Sequence, residues 1–208
     1  MPWPATHILI AEKVYDQYFS HLDHKNFILG TSFPDIRYPA KLNRNQTHSY
    51  DRSLQDIQSQ NAFSAGMLFH SFVDNLWRAH INQDQASLFS SIPLNIPMLH
   101  TMKILQDVFL YDEYINWHEI AKYFTTILPE ESSFGAGNQM VTRWHELLAH
   151  YLNKPPNIDD LEMLHLSLPA ELIGEIKQYY LAYQENKILK ASMTGFYHKI
   201  DSLIQYTC

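Results

Sequence analysis

Residues 55–82 contain no proline and are rich in helix-forming residues. Phe63, Met67, Phe69, Val73, Leu76 and Trp77 fall on one half of a helix wound through that stretch. A helix of that length must bury its apolar side against other elements, and the flanking sequence predicts more helices. Residues 6–20 repeat apolar positions at Ile8, Ile10, Val14, Tyr15 and Tyr18, with Thr6 as the expected N-cap. Residues 26–39 read as a short helix ending at Gly30, then a loop with two prolines. Residues 40–53 are polar and read as an exposed loop. Further helices are expected over 98–111, 117–127, 138–152, 170–185 and 187–205. SIPLNIP at 91–97, Leu128–Pro129, SSFGAGN and the NKPPN turn at 153–157 separate them. No segment alternates convincingly as a strand would. The expectation is one all-α domain over residues 1–208, a single-domain multi-helix bundle.

Composition excludes several alternatives. With 208 residues, 46% hydrophobic and 18% charged, the chain can bury one substantial core. No apolar run reaches the 18 or more residues of a membrane-spanning helix. The start, MPWPATHILIAEK, lacks the basic and apolar regions of a secretory leader, so a cytoplasmic location is expected. The one cysteine, Cys208, can form no internal disulfide. A formal charge of −7 argues against nucleic acid as a partner, since a phosphate-backbone binder needs a basic face. It leaves open a small phosphoester, for which bound cations would supply local positive charge.

The 12 histidines are more than ordinary composition suggests, and their placement matters more than their number. His70 and Asp74 lie one turn apart inside the long helix, on one face, where a nitrogen and a carboxylate can share a cation. Alone, that pair equally describes a buried histidine satisfied by an aspartate. His7 opens the first helix, a place where capping or core histidines are common. Asp35 follows Pro34 on a stiffened segment and could simply close a turn. His48 and Asp51 lie in the polar loop, where solvated side chains are the ordinary case.

The ordered set is more specific than its parts. T-H-x-x-I-A, G-x-x-x-P-D, T-H-x-x-D and H-x-x-x-D-x-x-W follow one another over roughly residues 1–80. This order resembles the zinc-dependent phospholipase C family, whose helical fold is shared with the S1/P1-type nucleases. The resemblance implies metal ligands at His7, Asp35, His48, His70 and Asp74, holding one to three zinc ions. It also implies that Asp74 bridges two metals and that Asp35 is the catalytic residue handling the attacking water. A further family ligand corresponds to His80. Six residues beyond Asp74 is about 240° around an ideal helix, so His80 reaches the site only if the helix bends or ends before it.

The chain also departs from the family. The secreted enzymes bind metal through an N-terminal Trp, whereas Trp3 follows Met1 and Pro2 and sits four residues before His7. The family's later His/Glu pair has no H-x-x-x-E counterpart; His100, Asp107, Asp112 and His118 are the substitutes within reach in sequence. His145 and His150 lie five apart and miss the zincin spacing, so they are read mainly as core or surface histidines. Phe33, Tyr38, Tyr50, Phe69 and Trp77 either pack the core, the commoner role, or wall a choline-accepting pocket.

The function implied is hydrolysis of a small phosphoester or phospholipid headgroup by zinc-activated water, compatible with contact at a membrane surface. The alternatives are a non-catalytic helical binding module retaining a structural metal, and a single-strand nuclease on the same fold.

Overall fold

The computed structural model describes residues 3–49, 52–84, 92, 94–114, 116–160 and 168–206. Among them there are helices and turns but no strand, so the chain is an all-α multi-helix bundle, as its periodicity predicts. Helix α1 spans Pro4–Tyr18. Pro4 suits its first turn, where a missing N–H costs nothing. Trp3 occupies the N-cap position but its side chain makes no cap. The cap comes from another helix. The buried Asp107 carboxylate accepts from the main-chain N–H groups of Ala5 at 3.2 Å and Thr6 at 2.8 Å, and from the hydroxyls of Thr6 and Tyr151. Thr6, expected as the N-cap, therefore lies inside the first turn.

Helix α2, His24–Ser32, starts at Asp23, whose side chain accepts from the N–H of Asn26. It runs through Gly30 instead of ending there. The glycine answers a packing need rather than a terminating one. A Cβ on Gly30 would lie 2.0 Å from the Phe63 carbonyl oxygen, and one on Gly66 would lie 2.1 Å from that of Phe27. The two backbones thus touch where α2 crosses the long helix, and any side chain at either glycine would force them apart.

A 3₁₀ turn, Phe33–Ile36, and a short helix α3, Arg37–Ala40, follow α2. Lys41 then takes a left-handed conformation with φ of 54°. The segment expected as an exposed loop holds another short helix, α4, Arg44–Thr47, closed by a reciprocal Asn43/Gln46 capping box. The expected helix over 55–82 is divided. Helix α5, Leu54–Gln58, has its own Ser53/Asp56 capping box, and α6, Ala62–Ala79, restarts at the Asn61 cap. Two strong caps within one apolar stretch explain the break. Beyond Ala79 the winding loosens into a π-helical turn, His80–Asp84.

The remaining helices are α7 (Ile96–Leu110), α8 (Trp117–Ala121), α9 (Asn138–Leu152), α10 (Ala170–Tyr183) and α11 (Lys187–Gln205). Helix α8 is shorter than expected because the chain tightens into a 3₁₀ turn at Lys122–Thr125. Helices α10 and α11 pack on α7, which also touches α1. They bury Ile176, Leu189, Met193, Phe196, Ile200 and Ile204. The C-terminal third therefore covers the α1–α7 side of the core. No helix among the described residues is long and apolar enough to cross a membrane. Cys208, Tyr50, Asp51, and Ser91 and Pro93 of SIPLNIP, lie outside the described residues.

Candidate metal centre

Five of the six residues expected as metal ligands converge. His70 and Asp74 project from one face of α6, one turn apart, as their spacing predicts. His7 comes from α1, Asp35 from the 3₁₀ turn after α2, and His48 from the end of α4. His7, His70 and Asp74 offer ligand atoms all within 4.8 Å of one another, and so do Asp35, His48 and His70. All five are buried, Asp35 being the most exposed at 7%. His48 is thus a core residue and not part of a solvated loop, because α4 turns the chain inward.

The three imidazoles are oriented alike. His70 donates from Nδ1 to the Thr31 carbonyl at 2.9 Å, and His7 from Nδ1 to the Trp3 carbonyl at 3.3 Å. The Thr47 hydroxyl reaches the Arg44 carbonyl at 3.5 Å and so accepts from His48 Nδ1 at 2.9 Å. With each Nδ1 carrying the proton, each Nε2 lone pair faces the centre. His7 Nε2 lies 3.3 Å from Asp74 Oδ1, His48 Nε2 3.8 Å from Asp74 Oδ2, and His70 Nε2 4.0 Å from Asp35 Oδ1. Ligand atoms around a tetrahedral zinc stand about 3.3 Å apart, given Zn–N and Zn–O bonds near 2 Å.

Buried polar atoms without partners are rare in proteins. Here His7 Nε2, His48 Nε2 and Asp74 Oδ1 are buried with no aligned hydrogen bond, although His7 and Asp74 are near neighbours. A cation among them would satisfy all three, so the donor set fits a divalent metal. The His7 and His70 rings stack at 3.7 Å and 9°. Because both triads use His70, its single Nε2 can complete only one of them at a time.

The electrostatics agree with a ligand role. Burial, with lesser contributions from neighbouring His7 on His70 and from His70 and Arg44 on His48, lowers His70 to about 4 and His48 to about 2, so both are neutral imidazoles near pH 7. Burial alone would raise the two carboxyl groups, but their surroundings outweigh it. The adjacent His7 and His70 hold Asp74 well below the usual carboxylate range, and His70 and Lys103 pull Asp35 below it. Asp74 also meets a full charge: Arg44 donates to its Oδ2 at 2.9 Å.

The other candidates take different places. His80 starts the π-helical turn and packs on the Phe196 ring, 5.3 Å between centroids, outside both triads. Loosened winding alone does not bring it round to the Asp74 face. The Trp3 carbonyl is occupied by the His7 main chain and ring, so it orients a ligand. Asp107 caps α1. Asp112 is exposed, and His118 is exposed and bonded to Asn153. His145 is buried against Glu131 at 2.6 Å, a His/carboxylate pair assembled across separate elements, while His150 is exposed. His100 alone of the substitutes has Asp35 in its electrostatic surroundings. Phe33 and Phe69 are core residues, whereas Trp77 lines a cavity and Tyr38 contacts Arg37 and Lys103.

Arg44, Arg37, Lys103, Thr31 and Thr47 do not emerge from the sequence as site residues. Their roles arise from approach in space, and only the Asn43/Gln46 capping pattern hints that Arg44 sits on ordered backbone. Comparison with protein-family models, with curated proteins and with solved structures gives no match. Fold and site together define the class: an all-α protein with a buried His/Asp cluster able to hold a metal.

Proposed function

We propose that this chain is a metal-dependent phosphoester hydrolase, akin to the zinc-dependent phospholipases C. The observation that carries the reading is the common orientation of His7, His48 and His70, each tied at Nδ1 and presenting Nε2 to two buried carboxylates. That is the arrangement by which proteins fix the tautomer and aim of metal-binding histidines. His7, His70 and Asp74 would hold the ion, with His48 and Asp35 completing its surroundings or receiving a second one. A divalent ion bound there supplies Lewis acidity toward a phosphoryl oxygen and toward water. Asp35, the most exposed of the five and ionised at neutral pH, is placed to orient a water molecule and accept its proton. Thr31, Trp3 and Thr47 keep the imidazoles from turning.

Elemental analysis of tag-free wild type and Asp74→Ala, followed by assay on a chromogenic phosphodiester and on a phosphocholine ester, tests the reading. The expected result is bound zinc and turnover in wild type, both lost in the variant. Wild type that takes up no zinc after incubation with it overturns the proposal. A structural-metal reading is favoured by one observation, the near-complete burial of the cluster. It predicts zinc uptake in wild type with no turnover of either ester.

A further inference from the structure

Lys103 is out of place by ordinary rules. It sits on α7, is 5% exposed, and has no carboxylate within salt-bridge distance among the described residues. Its hydrogen bond is to the Tyr38 hydroxyl, at 3.3 Å. Burying an ammonium without a counter-ion is expensive, and lysines are almost never so buried unless paired. A second cation lies near it. The Arg37 guanidinium stacks 3.9 Å from the Tyr38 ring, and its Nε is buried without a partner. Two cations therefore flank one tyrosine, three residues beyond Asp35 in the sequence.

The surroundings of Lys103 show where an anion would come from. Lys103 lines a cavity of about 400 Å³ with Trp77, Arg78, Ile81, Asn82, Leu94 and Leu99. That volume is within the range of small-molecule sites, and its walls are largely apolar. The same ammonium reaches the metal cluster electrostatically: it acts on Asp35 and on His100. Lys103 thus connects the cavity to the cluster.

We infer that Lys103 is the anion-recognition residue of this centre, binding the phosphoryl oxygens of a phosphoester whose organic substituent occupies the cavity between α6 and α7. The inference rests on the hydrolase reading for its choice of phosphoester. A phosphoryl group suits the place better than a carboxylate, because its several oxygens can accept from more than one of the cations at Tyr38. The apolar walls at Trp77, Ile81 and Leu99 favour an ester over free phosphate.

The test is calorimetric titration of the full chain with phenyl phosphate and, separately, inorganic phosphate, with zinc content measured on the same samples. Lys103→Met and Tyr38→Phe are compared with wild type. Lys103→Met should remain folded, retain wild-type zinc and bind phenyl phosphate at least about tenfold more weakly. Tyr38→Phe should lose less. Inorganic phosphate bound as tightly as phenyl phosphate, and weakened equally by Lys103→Met, supports the same recognition with free phosphate as its source. Wild-type affinity for both ligands in folded Lys103→Met overturns the inference. If wild type holds no zinc, the hydrolase reading fails separately, and loss of phenyl phosphate binding in metal-free Lys103→Met still decides the role of Lys103.

Discussion

Gly66 stands one turn before His70 on α6, and its missing side chain sets where that histidine points. Contact of Gly66 with the Phe27 carbonyl lets α2 approach closely, which brings the Thr31 carbonyl within 2.9 Å of His70 Nδ1. Gly66→Ala would ordinarily gain about 0.5–1 kcal/mol in helix propensity. Here the added Cβ meets backbone, which cannot give way cheaply, so a net loss of about 1–3 kcal/mol is expected. Zinc affinity should fall with it, because the Thr31–His70 bond lengthens. Denaturant unfolding of the metal-free protein and a zinc titration check both effects. A more stable Gly66→Ala chain is incompatible with the close crossing.

The imidazoles give the metal-free protein a defined response to acid. Folded His70 titrates at about 4 and His48 at about 2, whereas an unfolded histidine titrates near 6.5. Between those values the unfolded chain binds more protons than the folded one. The stability these groups contribute is therefore present above pH ~6.5 and is lost as pH falls toward about 4 for His70, and lower for His48. Lost stability between pH 6.5 and 4.5, smaller in His70→Gln, is the expected urea-unfolding result. Asp35 and Asp74 act in a separate window, since their depressed values put their loss below the ordinary carboxylate range. Because His70 and His48 are already neutral, their protonation should not weaken zinc binding between pH 8 and 6.5.

Arg44 competes with any ion that uses both oxygens of Asp74. Its guanidinium occupies Oδ2, leaving Oδ1 toward His7. In Arg44→Met the metal-free protein keeps a buried carboxylate without its cation, which should cost about 3 kcal/mol. Zinc should restore more stability to this variant than to wild type, and zinc per chain should equal or exceed the wild-type value. Thermal unfolding with and without zinc measures the difference. An equal zinc-induced rise in Tm for both proteins would show that Arg44 does not share the metal's place.

Local rules made part of this site legible before the fold was known. His70 and Asp74 share a helical face by spacing alone, and α1 places His7 through its own apolar repeat. The helices at the C-terminal end match their expected bounds closely, the last of them starting at the Asn186 cap. What failed were readings in which a residue's local meaning was overridden by a neighbour distant in sequence. Gly30 resembles a helix terminator until Phe63 is packed on it. The polar stretch around His48 resembles a loop because the Asn43/Gln46 capping box carries too few residues to show periodicity. Lys103 and Arg44 acquire their roles only when α7 and α4 meet the cluster, and no short-range pattern encodes that meeting.

Asp107 separates capping from ligation within the same experiment. As an acidic residue on α7 it competes in sequence for a place among the ligands, but its oxygens are taken by Ala5, Thr6 and Tyr151. Burial raises its carboxyl group to about 6 even though these donors favour the charged form. Removing it by Asp107→Ala leaves the first N–H groups of α1 unpaired inside the protein, with an expected loss of about 2 kcal/mol. Tyr151→Phe removes one donor and should cost about 1 kcal/mol. Since α1 carries His7, zinc should bind more weakly to Asp107→Ala, yet the number of ions per chain at saturation should not change. A ligand would behave differently: its removal lowers the saturating stoichiometry while leaving the α1 cap intact. Metal content at saturating zinc, read beside the unfolding curve, distinguishes the two roles.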